Sequence, residues 1–222
     1  IKMTNEGYLV LRDVLPQKDI EFAKKNINGK KVNYTQIEKH IEKIIKTINK
    51  KCNKDLIITK YRVSNNNNSN DASTLHRDIH IHESNLSLPI YTCLHYIDES
   101  EMEIIPNSHK INDIGIIQAY KMYNTRKKIK MYPNDILIFN ASIMHRGYFI
   151  NKQKNRRLIQ IFDCIDRKDY KKYNAMTIHM ACLDNCRLDI EKTMISISKI
   201  KPIIEFINFI NYFNVASGNN FR

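Results

Sequence analysis

Two histidines and an aspartate are the residues of this sequence best suited to chemistry. His76 and Asp78 stand two positions apart in the run LHRDIHIH (75–82), and His145 lies in a later run, SIMHRGYFI (142–150). On extended backbone, residues i and i+2 project to the same face, so this imidazole and carboxylate converge. Two neutral imidazoles and one carboxylate on one face of a ferrous ion leave the opposite face open for a cosubstrate and O₂. The pattern therefore predicts an iron(II) site made of His76, Asp78 and His145.

An arginine pair follows the second histidine and is suited to binding a carboxylate. Arg156 and Arg157 open the run RRLIQIFDCI (156–165). A guanidinium fork can hold a carboxylate through two parallel hydrogen bonds. Strand alternation leaves the choice open, because Arg157 shares a face with Ile159 and Ile161, whereas Arg156 lies on the other face.

The runs that carry these residues belong to a series of short β-rich segments with turn signals between them. Their order is typical of an all-β sandwich or barrel. The segments are 56–63, 75–82, 89–97, 103–106, 135–139, 142–150 and 156–165. The polar tract SNNNNSNDAS (64–73) predicts a loop that can act as a lid over the site. The basic stretch KMYNTRKKIK (121–130) predicts a surface connection.

Helical periodicity appears on both sides of the β-rich region. Ile37, Ile41, Ile44, Ile45 and Ile48 form one apolar stripe, which predicts a packed helix with no chemical role. Helical spacing returns after Asp166. The prediction is a mainly β fold with flanking helices and one large domain over residues 1–166. That domain has a helical layer at 16–52 and a β core at 56–165, and a helical extension at 167–222 packs on it.

The order of these motifs resembles that of a known family. The chain is similar to the phytanoyl-CoA dioxygenase branch of the iron(II)/2-oxoglutarate-dependent oxygenases. The resemblance rests on a Gly-Tyr start in GYLVLRDVL (7–15), on His-x-Asp, on Ile105-Pro106-Asn107-Ser108-His109 in place of "IPGSH", and on the run from Asp135 through His145 to Arg156. It spans residues 6–165 and implies a double-stranded β-helix, or jelly-roll, core of the cupin kind.

The resemblance also implies a reaction. Iron(II) would be held by His76, Asp78 and His145, and 2-oxoglutarate would be decarboxylated to succinate as O₂ hydroxylates a substrate. Its distal carboxylate would bind Arg156, whose distance from His145 matches the family's. Tyr61 either hydrogen-bonds the cosubstrate or packs. Departures from the family include asparagine in place of glycine at Asn107 and at Asn134, two positions where asparagine can adopt the left-handed conformation.

Other readings of the same residues remain open. His80 and His82 extend the alternation from His76, as in a zinc- or copper-binding strand. His179, Cys182 and Cys186 share a helical face, which packing explains better than a zinc site without a fourth ligand. An oxygenase fold that binds ligands without turnover is a further alternative.

Composition bounds the partners. The net charge of +13 keeps a nucleic-acid-binding or nucleic-acid-modifying protein as the alternative function, although lysine is spread along the chain with isoleucine and asparagine, as in an AT-rich or viral genome. Five scattered cysteines favour reduced thiols, so we expect a cytoplasmic, intracellular protein. No apolar run is long enough for a membrane span. The sequence identifies neither the substrate, a small molecule or a protein side chain, nor the oligomeric state.

Overall fold

In the part of the chain that it describes, the structure, a computed structural model, has two α-helices on one side of a β core made of two sheets, and a separate two-stranded sheet that comes between the helices in chain order. It describes residues 4–28, 31–32, 34–66, 76–78, 88–111, 122, 124–148 and 157–173. The helices are α1 (Gln17–Asn26) and α2 (Tyr34–Cys52). The strands are β1 (Tyr8–Leu11), β2 (Ile27–Asn28), β3 (Lys31–Val32), β4 (Leu56–Asn66), β5 (Ile90–Tyr96), β6 (Ser100–Ile105), β7 (Lys127–Met131), β8 (Ile136–Asn140), β9 (Met144–Tyr148) and β10 (Arg157–Asp166).

Two antiparallel sheets face each other. The larger has the strand order β1-β8-β5-β10-β4, and the smaller has the order β7-β6-β9. Strands that are neighbours in a sheet are mostly distant in sequence, because the chain passes back and forth between the two sheets, as in a jelly roll. This confirms the predicted mainly β fold with a jelly-roll core and flanking helices.

Apolar side chains from both sheets fill the space between them. Leu94 and Phe139 of the larger sheet belong to one buried cluster with Met102 and Ile104 of the smaller sheet. Such interdigitation removes one face of each sheet from water, which is the main favourable term in folding.

The helices cover the opposite face of the larger sheet. Ile44 and Ile48 of α2 pack with Phe162 and Cys164 of β10, and all four are fully buried. The isoleucine stripe of α2 therefore has the packing role that its spacing predicts. Because β5 lies under the helices and also faces the smaller sheet, every one of its residues is buried.

One prediction for a connection was wrong. Residues 121–130 were expected to form a surface connection, but Lys127–Met131 form β7, paired with β6. Lysines alternate there with Ile129 and Met131, which are buried, so the strand turns a basic face outward and an apolar face inward. The run looked like a connection because its charged face dominates the composition.

The described helices do not include one that is long and apolar enough to cross a membrane. The first three residues of the predicted lid, 64–66, are not loop but the end of β4, paired with β10. The rest of the lid and nearly all of the predicted C-terminal extension, including His179, Cys182 and Cys186, lie outside the described residues, as do His80 and His82.

Candidate metal centre

The first ligand-bearing segment is attached directly to the second. His76 and His145 exchange both backbone hydrogen bonds, each with an N–O distance of 2.9 Å, in an isolated antiparallel bridge. Residues paired in this way place their side chains on the same face. The two imidazole rings accordingly lie 4.4 Å apart between centroids.

Asp78 completes a triangle with the two histidines. Its N–H donates to the carbonyl of Ala141 over 3.0 Å, which fixes the backbone beyond the bridge. Its Oδ1 lies 3.6 Å from Nε2 of His76 and 3.8 Å from Nε2 of His145. One ligand atom from each residue lies within 4.8 Å of the others, and among the described residues this is the only such group of three histidine, cysteine or acidic side chains.

The surroundings of His145 favour one tautomer. Its Nδ1 lies 3.1 Å from the carbonyl oxygen of Ile143, so that a proton on Nδ1 is hydrogen-bonded and the lone pair of the neutral ring is on Nε2. The ring also packs against Phe139, with centroids 4.4 Å apart. The side chain is only 6% exposed, against 26% for His76 and 20% for Asp78, so the site opens to solvent on the side of His76 and Asp78.

Neighbouring groups stabilise the ionised form of the Asp78 carboxyl. Burial raises the pKa of this carboxyl, but His145, a hydrogen bond from His76 and the more distant Arg62 guanidinium outweigh that effect and bring the pKa well below its usual range. Asp78 is therefore an ionised carboxylate between two imidazoles, which is the form that binds a metal ion.

A buried arginine braces the segment between the first two ligands. Arg77 is 1% exposed, and its Nη2 donates to the carbonyl oxygens of Ser108 and Ile111 over 2.8 and 3.1 Å. The hydroxyl of Ser108 accepts a hydrogen bond from the N–H of Met144, next to His145, over 2.7 Å. Ser108 is thus bonded to both ligand-bearing segments, which gives the Pro-Asn-Ser-His motif a physical role.

The turn that carries Ser108 depends on Asn107 and Gly7. Asn107 has φ 65°, and Asn134 has φ 76°, so both asparagines adopt the left-handed conformation predicted for them. Gly7 has φ 90°, and a Cβ there would collide with the imidazole ring of His109. Since the N–H of Asn107 also donates to the carbonyl of Glu6, the Gly-Tyr start and this motif form one contact region.

Solved structures with a similar fold include metal enzymes. HygX from Streptomyces hygroscopicus, solved with iron bound, aligns with a TM-score of 0.55 at 13% identity, over 73% of this chain and 83% of its own. SnoN, a non-heme α-ketoglutarate-dependent epimerase from nogalamycin biosynthesis, gives 0.53 at 14% identity, over 73% and 79%. AviO1 from Streptomyces viridochromogenes Tue57 gives 0.52 at 14% identity, over 73% and 90%. The chain shares their fold. Its sequence matches no family model and no curated protein.

Within this fold, the structure brings three of the predicted site residues together, namely His76, Asp78 and His145. Tyr61 is not brought to them. Its ring packs against Phe162, 5.3 Å away between centroids, in the core beneath the helices, and its hydroxyl accepts a hydrogen bond from Gln160 over 3.0 Å. Of the two roles expected for Tyr61, this position favours packing.

The predicted cosubstrate arginine falls at the edge of what is described. Arg156 lies outside the described residues, and β10 begins at Arg157, paired with Asn66 of β4. On β10, Ile159 and Ile161 pack into the cluster between the sheets, whereas Leu158 packs beneath the helices.

Three polar residues near the triad have no place in the sequence motif. Thr92 of β5 donates a hydrogen bond from its hydroxyl to Oδ2 of Asp78 over 2.7 Å. Asp163 of β10 is paired with Thr92 in the sheet and forms an ion pair with Arg62 of β4, with an O–N distance of 3.0 Å. Burial raises the pKa of Asp163 to about 6, with Arg62 opposing the rise and Asp78 adding to it.

Proposed function

We propose that this protein is an iron(II)- and 2-oxoglutarate-dependent dioxygenase that hydroxylates its substrate, of the phytanoyl-CoA dioxygenase-like branch. The observation that carries the proposal is the triangle of His76, Asp78 and His145 at the interior of a jelly roll. Two imidazoles, one carboxylate and no thiolate are the ligands that a non-haem ferrous ion takes with open positions.

The spacing between Asp78 and each histidine fits such an ion. Two ligands bound about 2.1 Å from one metal lie about 3 to 4 Å apart. The Oδ1 atom of Asp78 meets that spacing with both histidines, at 3.6 and 3.8 Å. With iron and 2-oxoglutarate bound, oxidative decarboxylation of the cosubstrate to succinate would supply the oxidising power for hydroxylation.

The chain's own residues would perform the positioning. His76, Asp78 and His145 would hold the metal. Nδ1 of His145 would keep its proton and donate it in a hydrogen bond to the Ile143 carbonyl oxygen, so that Nε2 is left to bind the ion. The apolar wall formed by Phe139 and its cluster would keep water from the inner side of the site.

An arginine at the start of β10 would anchor the distal carboxylate of 2-oxoglutarate. The distance from His145 favours Arg156 for this role. Arg157 is the alternative, because it has the same parity on the strand as Ile159 and Ile161, which contribute to the cluster between the sheets. Both arginines are therefore tested as a pair.

The substrate of this reaction would be a small molecule or a side chain. HygX has been solved with hygromycin B, and SnoN with nogalamycin RO, so structures of this fold accommodate small organic ligands next to a metal. We also propose that residues 1–166 form the catalytic domain and that 167–222 pack on it, in an intracellular protein.

The proposal is tested by turnover of 2-oxoglutarate without added substrate. Protein loaded anaerobically with iron(II) is exposed to O₂, and succinate is measured for the unaltered chain, Arg156→Ala, Arg157→Ala and His145→Ala. We expect slow succinate release from the unaltered chain and none from His145→Ala. Of the two arginine variants, one alone should lose succinate release at low 2-oxoglutarate concentration and regain it at high concentration. Metal binding without any succinate would instead indicate a binding module on an oxygenase fold.

A further inference from the structure

The two oxygens of the Asp78 carboxylate have different surroundings. Oδ1 lies between the two imidazoles, 3.6 Å from Nε2 of His76 and 3.8 Å from Nε2 of His145. Oδ2 instead accepts a hydrogen bond from the hydroxyl of Thr92 over 2.7 Å. One oxygen is directed at the metal position, and the other is held by the wall of the sheet.

We propose that Thr92 is a positioning residue that makes Asp78 bind the metal through one oxygen only. This inference rests on the proposed iron function. Carboxylates bind cations through one oxygen or through both. An iron(II) ion held by His76, Asp78 and His145 would need its remaining positions for the keto acid of 2-oxoglutarate and for O₂. A second oxygen from Asp78 would occupy one of these positions.

The position of Thr92 in the fold makes its hydroxyl a fixed donor. β5 is the central strand of the larger sheet, between β8 and β10, and Thr92 is 2% exposed. Its backbone partners are Phe139, whose ring packs against that of His145, and Asp163. A β-branched side chain in a strand has restricted rotation about χ1, so the hydroxyl has little freedom to leave Oδ2.

A hydroxyl bond to a metal-binding carboxylate also keeps that carboxylate in one orientation before the metal arrives. Groups that hydrogen-bond to metal ligands typically contribute about 10- to 100-fold to metal affinity or activity. Without the Thr92 hydroxyl, Oδ2 of Asp78 becomes free to turn toward the ion or toward solvent. Both movements change how Asp78 coordinates the metal. For packing, by contrast, the contribution of Thr92 is the volume of its side chain, which valine retains.

The test compares Thr92→Val, which keeps the shape and removes the hydroxyl, with Thr92→Ser, which keeps the hydroxyl. Thr59→Val is the matched control, because the Thr59 hydroxyl bonds a carbonyl of β10 over 3.0 Å and touches no proposed ligand. Dissociation constants are measured anaerobically for nickel(II) by calorimetry, and the iron–2-oxoglutarate visible band is recorded. Circular dichroism establishes that each variant is folded, and Thr92→Ala replaces Thr92→Val where the latter does not fold.

We expect Thr92→Val to bind nickel(II) about 10- to 100-fold more weakly and to shift or weaken the visible band. Thr92→Ser and Thr59→Val should both resemble the unaltered chain. Unchanged binding and an unchanged band in Thr92→Val would overturn the role of Thr92 and leave the iron site standing. A loss in Thr92→Ser as large as in Thr92→Val would overturn it too, since the methyl group would then be responsible. Absence of metal binding in the unaltered chain would overturn both proposals.

Discussion

Both faces of the larger sheet carry buried polar side chains, but those side chains have different partners on the two faces. On the face beneath the helices, Gln160 is fully buried and its Oε1 lies 2.8 Å from Nδ1 of His95 and 3.3 Å from Nε2 of His40. Its amide nitrogen donates to the Tyr61 hydroxyl. These polar groups therefore hydrogen-bond to one another inside the core. On the inner face, by contrast, Thr92 and its neighbours are directed at a site.

Two adjacent residues on β10 lie on the two different faces of the sheet. Phe162 packs under α2 with no exposed surface, whereas the next residue, Asp163, ion-pairs with Arg62 beside the triad. Between Asp163 and Cys164 the pairing of β10 with β4 contains a β-bulge, whose extra residue lies on β4. The pairing of β10 with β5 is regular over the same positions. One face of the strand therefore packs against the helices, and the other lies beside the candidate metal centre.

The largest effect should come from the helix-covered face. Phe162→Ala removes a fully buried ring from the core, so the free energy of unfolding should fall by about 3 to 5 kcal/mol. Because Phe162 does not face the triad, the metal dissociation constant of the folded fraction should not change. Denaturant unfolding and metal titration at low temperature measure the two quantities. A metal affinity that falls with the stability would show that the two faces are not separate.

The second prediction separates the faces by pH in metal-free protein. Burial lowers the pKa of His95 to about 4, so its unfolded state binds more protons between about pH 6.5 and 4, and acid weakens the fold. Burial also lowers the pKa of His40, which acts in the same direction. Burial raises the pKa of Asp163 to about 6, so here the folded state binds the proton more tightly and acid strengthens the fold between about pH 6 and 4. Each of the His95 and Asp163 contributions amounts to at most about 3 kcal/mol.

Two variants expose these opposing contributions. In Asp163→Asn the free energy of unfolding should fall steeply from pH 6.5 to 4, because only the histidine contribution remains. In His95→Gln it should fall less than in the unaltered chain, or rise. Urea unfolding at half-unit pH intervals measures both slopes. Parallel curves for all three proteins would mean that neither group is perturbed as the fold requires.

A third, smaller effect should change stability and metal affinity together, whereas Phe162→Ala should change stability alone. Ser108→Ala leaves the buried N–H of Met144 without its partner, and a buried donor without a partner costs about 1 to 3 kcal/mol. Because Met144 directly precedes His145, loss of this bond loosens the backbone that carries a proposed ligand, so metal affinity should fall along with stability. Lys110→Ala, in the same turn but exposed, is the control. Stability lost without any change in metal affinity would mean that the turn does not align the ligands.

The sequence predicted that His76, Asp78 and His145 would lie together, because their signal is local and ordered. His-x-Asp on extended backbone needs only the two-residue period of a strand, and the later motif supplies His145. The left-handed turns at Asn107 and Asn134 were predictable for a similar reason, since few residues adopt that conformation readily.

Thr92, Asp163 and the position of Tyr61 could not be predicted in the same way. β5 is buried on both faces, so its sequence has no alternation to tell which residues face the site. In such a strand, the sequence does not distinguish a threonine that only packs in the core from one that hydrogen-bonds to Asp78. The strand register in the structure is needed to make that distinction. Tyr61 and Arg62 are adjacent on β4, and their assignment to opposite faces depends on which side the helices cover.

The most direct test of the account is an anaerobic titration of the metal-free chain with iron(II) and then with 2-oxoglutarate. A weak visible charge-transfer band that needs both additions, and that disappears in His145→Ala while the folded state persists, is the predicted result. The same band in Phe162→Ala at low temperature would assign the chemistry to the inner face alone. No band at any concentration in folded, unaltered protein, or a band that survives in His145→Ala, would contradict the proposed metal centre.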